Sequence, residues 1–344
     1  TVRPAEMLEA TGARAIVRGE PENTVLDLCQ NDSLSEVRGI TYLDGDRLVN
    51  TPDQRPVNLN ELPMPAFHLL PMERYHYEVM GDHFALFEMT RGCAGHCTFC
   101  LLKTYGPGVR RKSVDQLARE VEYAIQNYHV RNAYFFDLEF TVLRKQVVEF
   151  CQYLIKKQYD FRWCCQTRLD LVDEELLTLM KRAGCRLIHV GVEASSDEML
   201  EKVQKGITVR QIEEGIAKIR AAGIEVACFL IMGFPESTRE DMKELVRFAK
   251  RLNPTYALFH VAVPYPGTQL YHQVEADPNL HFSDDTLFPE AIEGRFTLPE
   301  LKKISRRAHL SYYVRPSYVL SRLAKGEFRA LANQLRLFVA YVSS

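Results

Sequence analysis

The chain has 344 residues, 46% hydrophobic and 26% charged, with a formal net charge of -2 at pH 7. That length exceeds one small core and predicts a large domain with appendages. The slightly negative charge leaves no electrostatic footprint for nucleic acid, and no apolar run has the length of a bilayer-spanning helix or the layout of a signal peptide, so the expected compartment is the cytoplasm.

The stretch AEMLEATGARAIVRGEPENTVLDL reads as a helix, a short strand from Ala15 to Val17, a Gly-Glu-Pro turn and a second helix. ITYLDGDRLV is a hairpin around Asp44-Gly45. Residues 1–55 open on a helix with no strand before it, which reads as the end of an α/β domain. Residues 56–82 contain RPVNLNELPMPAFHLLPMERY with its four prolines, the composition of an extended linker.

One pattern recurs over residues 83–295: an apolar run of strand length, then a capped amphipathic segment. The strand candidates are 83–90, 132–137, 161–169, 186–193, 225–234 and 256–265. Several are apolar on both faces, which suits parallel strands covered by helices. Ser113-x-x-Gln116, Thr208-x-x-Gln211 and Ser237-x-x-Glu240 have the form of capping boxes at helix starts. After Ser113 the apolar positions Val114, Leu117, Val121, Ala124, Ile125 and Tyr128 share one helical face. Gly184 and Gly223 stand where left-handed helix ends are wanted, and Asn253-Pro254 closes the helix after Ser237.

Six strand–helix units in series imply a parallel sheet with right-handed crossovers, and the pattern fits a doubly wound sheet or a barrel. In both, the loops leaving the C-terminal ends of the strands build the site. Residues 296–344 read as two or three helices. From Glu300 onward nine Lys or Arg oppose two acids. A solvated helical face is the expected reading of Lys302, Lys303, Arg306 and Arg307. Peripheral contact with a membrane or lipid substrate, beside Tyr312, Tyr313 and Arg315, is the second.

Of nine cysteines, Cys29, Cys151, Cys164, Cys165, Cys185 and Cys228 are scattered and read as buried thiols in a reducing compartment. Cys93, Cys97 and Cys100 cluster in RGCAGHCTFC, directly after the first strand. Structural zinc wants four ligands at paired spacing, and His96 would have to fold back between two cysteines to be the fourth. A disulfide would leave an odd thiol. An iron–sulfur cluster is held by cysteine thiolates, and three of them leave one iron open. The spacing favours the third reading.

C-x3-C-x-aromatic-C after the first strand, followed by five more strand–helix units, resembles the radical S-adenosylmethionine (SAM) enzymes over residues 83–270. The resemblance implies an α/β fold: a partial (β/α)6 TIM-like barrel with a 4Fe–4S cluster on Cys93, Cys97 and Cys100. It implies SAM on the open iron, reduced through a flavodoxin or ferredoxin and cleaved to a 5′-deoxyadenosyl radical, or used to methylate a partner cofactor. It places Phe99 near the adenine and gives the cofactor's ammonium to Asp137 or Glu139, in a segment lacking the glycines of the usual Gly-Gly-Glu-like element. Gln166 and Arg168 end the third strand, with Arg168 facing the methionyl carboxylate. Glu193 and Ser195 meet the ribose, and Gly233 opens a turn under the adenine. No residue is assigned to acid–base catalysis, and Tyr265-Pro266-Gly267-Thr268 is read as a turn.

AIVRGEPENT, NELPMPAFHLLPMERY and RRAHLSYYVRPSYVL resemble the cobalamin-binding branch, which includes magnesium-protoporphyrin ester cyclases, hopanoid-modifying enzymes and methyltransferases. That implies that residues 1–55 are the C-terminal remnant of a Rossmann-like cobalamin domain. The axial-histidine signature Asp-x-His-x-x-Gly is not in the chain, so cobalamin stays open. The expected activity is radical modification, by hydrogen abstraction, cyclisation or methyl transfer, of a small organic substrate of hydrophobic character. The rivals are a zinc or iron–sulfur module without catalysis and an inactive truncated barrel.

Overall fold

The computed structural model describes residues 3–101, 106, 108–284, 286 and 288–324. Lys325, Arg329 and Arg336 of the basic tail, and any third C-terminal helix, lie outside the described residues.

The first unit contains α1 (Pro4–Thr11), β1 (Ala15–Val17), α2 (Pro21–Gln30) and the hairpin β2 (Ile40–Asp44) and β3 (Arg47–Asn50). The three strands form one antiparallel sheet in the order β1-β2-β3. Gly45 takes φ 60° in the hairpin turn, the left-handed region that its missing side chain allows.

Six parallel strands follow: β4 (Phe84–Phe87), β5 (Asn132–Phe135), β6 (Arg162–Thr167), β7 (Cys185–Glu193), β8 (Glu225–Met232) and β9 (Tyr256–Val261). They pair in chain order from β4 to β9. The connecting helices are α3 (Val114–Tyr128), α4 (Arg144–Lys157), α5 (Glu174–Arg182), the short α6 (Asp197–Lys202) with α7 (Val209–Ala221), and α8 (Arg239–Leu252). Strand order never reverses, as it does in a doubly wound sheet. The residues on one face of the strands, among them Ala133, Phe135, Trp163, Cys165, Ile188, Val190, Val226 and Cys228, join the helices in one large core. All crossovers therefore lie on that face, the arrangement of an unrolled barrel. Among the described residues β4 and β9 do not pair with each other, so the sheet is open.

The other face buries a second, smaller cluster of Cys164, Leu187 and Ala227, with Tyr77, Tyr134, Tyr256 and Leu258 against it. Two buried faces explain why the strand candidates did not alternate. On this second face His189 is buried, 3.3 Å from the Tyr77 hydroxyl and stacked on Phe229 at 5.9 Å. Burial pushes its imidazole down to about 4 from an ordinary 6.5. Because the folded value lies below the unfolded one, the unfolded chain binds the extra proton and stability is lost as pH falls through that window. Stability measured against pH should therefore drop less steeply between 6.5 and 4 in a His189→Phe variant than in the native chain.

After β9 comes the short α9 (Gln269–Ala276), and the free edge of β9 is covered by α10 (Leu298–Tyr313), whose side chains take the place of a seventh strand. Ser305 donates to the Phe259 carbonyl at 2.7 Å and His309 accepts from the Phe259 amide at 3.2 Å. Tyr313 both accepts from and donates to the backbone of Ala257, each at 3.0 Å. α11 (Pro316–Ala324) follows after a short break.

The capping signals differ in detail. Thr208 and Gln211 form the full box, and Ser113 accepts from the Gln116 amide. The Gln116 side chain instead donates to the carbonyls of Leu59 and Leu62. The cap of α8 is Thr238 with Asp241, one residue beyond the expected Ser237 and Glu240, and Ser237 is buried. Asn253 ends α8 at φ 49° and Gly184 and Gly223 have φ 98° and 71°, as helix ends require.

Residues 56–82 are not an extended linker. They make three 3-10 turns, at Leu59–Glu61, Phe67–Leu69 and Met72–Arg74, and a two-residue ladder of His76–Tyr77 with Gly81–Asp82. Phe67 and Met72 enter the large core, and Tyr77, Val79 and Met80 pack on the second one. Prolines break long elements but leave apolar side chains free to dock, and composition alone does not report docking. Of the six scattered cysteines five are buried, whereas Cys29 is exposed. Tyr312 is buried and Arg315 lies over its ring at 4.1 Å, while Lys302, Lys303 and Arg307 are exposed. Tyr312 and Tyr313 are thus engaged in packing and backbone hydrogen bonds, and Lys302, Lys303 and Arg307 stand at the surface.

Candidate functional site

The cysteine loop leaves the C-terminal end of β4 on a stem in which Thr90–Arg91 pairs antiparallel with Arg110–Arg111. At the top of the stem Gly92 has φ 101°, and a Cβ there would collide with the Gly108 carbonyl oxygen. Only glycine fits both demands. A Gly92→Ala variant is expected to lose about 1–3 kcal/mol from the strained φ alone, with the collision added, as checked by urea denaturation.

Backbone hydrogen bonds pin the loop over the mouth of the sheet. The Thr98 amide donates to Val203 at 3.1 Å, and the Thr98 carbonyl accepts from Leu270 at 2.9 Å. The three thiols are partly exposed and sense one another, Cys93 with Cys100 and Cys100 with Cys97. Burial pushes the Cys93 thiol up to about 12 and Cys100 to about 11, with neighbouring Glu139 raising both. Burial also raises Cys97, while Lys205 and Arg168 pull it down. The loop without metal therefore holds protonated thiols, which a metal would have to deprotonate on binding.

Two ion pairs flank the thiols, one part-buried and one buried. Glu139, 2% exposed, accepts from the Ala94 amide at 3.0 Å and stands 3.7 Å from Arg168. Arg168 also grips Asp170 with two hydrogen bonds of 3.0 Å and donates to the Lys205 carbonyl at 2.8 Å. The second pair joins Glu193 to Lys205 at 2.9 Å, with both side chains buried. Glu193 has φ 62° at a break in the β7–β8 register, and this kink turns its carboxylate back over the strand. A Cβ on Gly191 would collide with both members of that pair, so the glycine makes room for it.

The expected residues divide into two groups. Cys93, Cys97, Cys100, Glu139, Arg168 and Glu193 come together around the loop. Phe99 turns to the β8 side, its ring 5.8 Å from Phe234, and lines a cavity of about 420 Å³ with Glu193, Phe229, Ile231 and Phe259. Asp137 is spent elsewhere: its carboxylate accepts from the Met89 amide at 3.2 Å and from the Thr90 amide and hydroxyl, and so anchors the base of the stem. Burial pushes its carboxyl up to about 6, against the pull of those donors. Gln166 lies on the second face of the sheet, accepting from Tyr134 at 3.4 Å. Ser195 lines a separate 80 Å³ cavity with Phe234 and Met242. Gly233 has φ 80°, and a Cβ there would come within 2.8 Å of Leu301, so it lets α10 approach.

Sequence reasoning missed Lys205. It sits in a polar turn, QKGIT, and nothing local marks it as buried. Its signal lies twelve residues away, in an acid at a strand end that burial obliges to have a partner.

Three cysteine side chains on one loop are a donor set that an iron–sulfur cluster accepts, one thiolate per iron. Among the described residues no three His, Cys, Asp or Glu side chains converge to hold one metal ion. Tetrahedral zinc draws every ligand onto one centre, whereas a cluster takes one thiolate per iron.

Residues 87–249 match the Radical SAM superfamily domain. An uncharacterized methyltransferase of Pyrococcus horikoshii is 31% identical over 328 residues, an alignment covering 91% of this chain and 70% of that protein. The chain belongs to the radical SAM superfamily. Another relative within this family of enzymes is the anaerobic magnesium-protoporphyrin IX monomethyl ester cyclase of Rubrivivax gelatinosus. It is 30% identical over 281 residues, 79% of this chain and 51% of the cyclase. The chain thus spans about half of that relative's length. Among solved structures the cobalamin-dependent SAM radical enzyme OxsB superposes with a TM-score of 0.72 over 94% of this chain and 56% of its own, at 17% identity. The radical SAM methyltransferase TsrM from Kitasatospora setae superposes with a TM-score of 0.64, covering 81% and 58% of the two chains, also at 17% identity. At that identity the two structures speak for the fold alone.

Proposed function

We propose that this chain is the catalytic core of an enzyme that holds a 4Fe–4S cluster on Cys93, Cys97 and Cys100 and binds SAM beside it. It would use the pair for radical modification, by methyl transfer or cyclisation, of a small organic substrate of hydrophobic character. The observation that carries this reading is the set of charges around the thiols, part-buried Arg168 with buried Glu139, and buried Glu193 with buried Lys205. The cluster, when bound, supplies the electron that breaks a carbon–sulfur bond of the sulfonium.

The chain's own residues do the rest. SAM carries an ammonium and a carboxylate, and each would find an opposite charge that is buried or partly withdrawn from water, so binding would exchange one charged partner for another. Arg168, with its planar fork, matches the carboxylate, and Glu139 or Glu193 matches the ammonium. Phe99 and Phe234 form an apolar wall beside the loop that excludes water from a reactive species. The cavity of about 420 Å³ continues from that wall into Phe229, Ile231 and Phe259, which suits an apolar substrate. The names of the relatives, a porphyrin ester cyclase and hopanoid methylases, support the same class. A flavodoxin or ferredoxin would be the reductant. We read residues 1–55 as the end of a cobalamin-type domain and residues 83–295 as the SAM-binding core, with no cobalamin ligand assigned within this sequence.

Purification without oxygen, reconstitution with iron and sulfide, and reduction with dithionite test the proposal. SAM should then be consumed by reductive cleavage, releasing 5′-deoxyadenosine and methionine. Stoichiometric zinc with SAM intact would favour a non-catalytic module instead.

A further inference from the structure

Glu20, the residue before α2, carries one of the least exposed carboxylates of the first unit, at 9%. It accepts from Arg110 Nη1 at 2.9 Å and from the Val57 amide at 3.1 Å, is paired with Arg110 Nη2 as well, and stands 3.5 Å from Arg91 Nη1. Burial works against its charge, but Arg110, the Val57 amide and Arg91 together hold its carboxyl below the usual range.

Arg91 and Arg110 are register partners on the stem of the cysteine loop. Arg91 lies two residues before Cys93, and Arg110 leads the returning strand. Like charges directly opposite each other push a strand pair apart. Here acids reach in to hold them. Glu88 takes Arg91 through two hydrogen bonds of 2.9 Å, and Glu22 takes its remaining arm at 2.8 Å. Glu88 belongs to one strand only and Glu22 binds one arginine only. Glu20 alone among these acids binds the arginines of both strands.

We propose that Glu20 is a positioning residue that closes the stem of the cysteine loop, so that the N-terminal unit sets how firmly the loop retains its metal. The retention part rests on the cluster reading above; the closure of the stem does not.

Glu20→Gln and Arg110→Gln break the clamp from its two ends, and Glu214→Gln, on an exposed pair with Arg210, serves as control. Backbone amide exchange in the metal-free chain should speed up about tenfold at residues 90–93 and 109–112 in both clamp variants and stay unchanged along Val226–Met232, as expected for loss of one charge-assisted bond. Iron should leave the reconstituted variants for a chelator faster by the same factor. Exchange and release within about twofold of the native chain, or acceleration shared equally by Val226–Met232, would overturn the proposal. If the native chain takes up no iron, the cluster reading fails and the exchange data still decide the clamp. If Glu20→Gln does not fold, Arg110→Gln carries the same comparison.

Discussion

Cys97→Ala is expected to abolish SAM cleavage and iron retention together, leaving the fold intact. Cys97 is the middle thiol of the loop, it senses Cys100, and it lies within reach of both Lys205 and Arg168. No other side chain stands ready to replace it. Among the described residues the remaining cysteines that are buried, Cys151, Cys164, Cys165, Cys185 and Cys228, belong to the sheet and its helices, and Cys29 is on the surface of the first unit. The small alanine side chain leaves the backbone bonds of Thr98 to Val203 and Leu270 untouched. Iron per chain and 5′-deoxyadenosine formation should both fall to background, while far-ultraviolet circular dichroism and the melting midpoint stay close to native values. A variant that loses product but keeps its iron would mean that another residue supplies the ligand.

Lys205→Met is expected to cost about 3–5 kcal/mol of stability, the penalty for leaving one member of a buried pair without its counter-charge. The stranded group is Glu193, 6% exposed, on a kinked strand end that cannot turn its carboxylate to solvent without unmaking the β7 bulge. The second variant separates this from a packing defect. Glu193→Gln in the Lys205→Met background removes the stranded charge and should restore most of the loss, giving a coupling measurable by a double-mutant cycle in urea. Additive losses would show that the pair contributes nothing as a pair. Both variants should also bind SAM more weakly, since each removes a charge from the ring around the thiols.

The fold was legible where local signals sufficed. Six strands were placed to within a few residues because each is a continuous apolar run bounded by caps or glycines, and Ser113, Thr208, Gly184 and Asn253 mark helix ends by chemistry that does not depend on distant partners. Ser237 against Thr238 shows the limit: both hydroxyls lie three residues before an acid, and the choice between them turns on which is buried. The barrel and the doubly wound sheet became distinguishable only through long-range order, namely the sequential pairing from β4 to β9 with the connecting helices on one face.

The site was legible in the same degree. The three cysteines announce themselves by spacing within ten residues. Glu193 and Arg168 stand near the thiols, where charged groups at the ends of apolar strands lead one to look. Asp137 meets the same criterion, but its oxygens are taken by the Met89 amide and by the amide and hydroxyl of Thr90. Lys205, Glu20 and the Arg91–Arg110 pair act through contacts between segments far apart in sequence, and no local pattern carries such information.

The electron paramagnetic resonance spectrum of the anaerobically reconstituted and reduced protein, recorded before and after adding SAM, bears most directly on the central claim. A reduced-cluster signal that changes when SAM is added, and that is missing from Cys97→Ala, is the predicted result. A native spectrum that SAM leaves unaltered, or a protein that binds stoichiometric zinc and gives no signal, would contradict it.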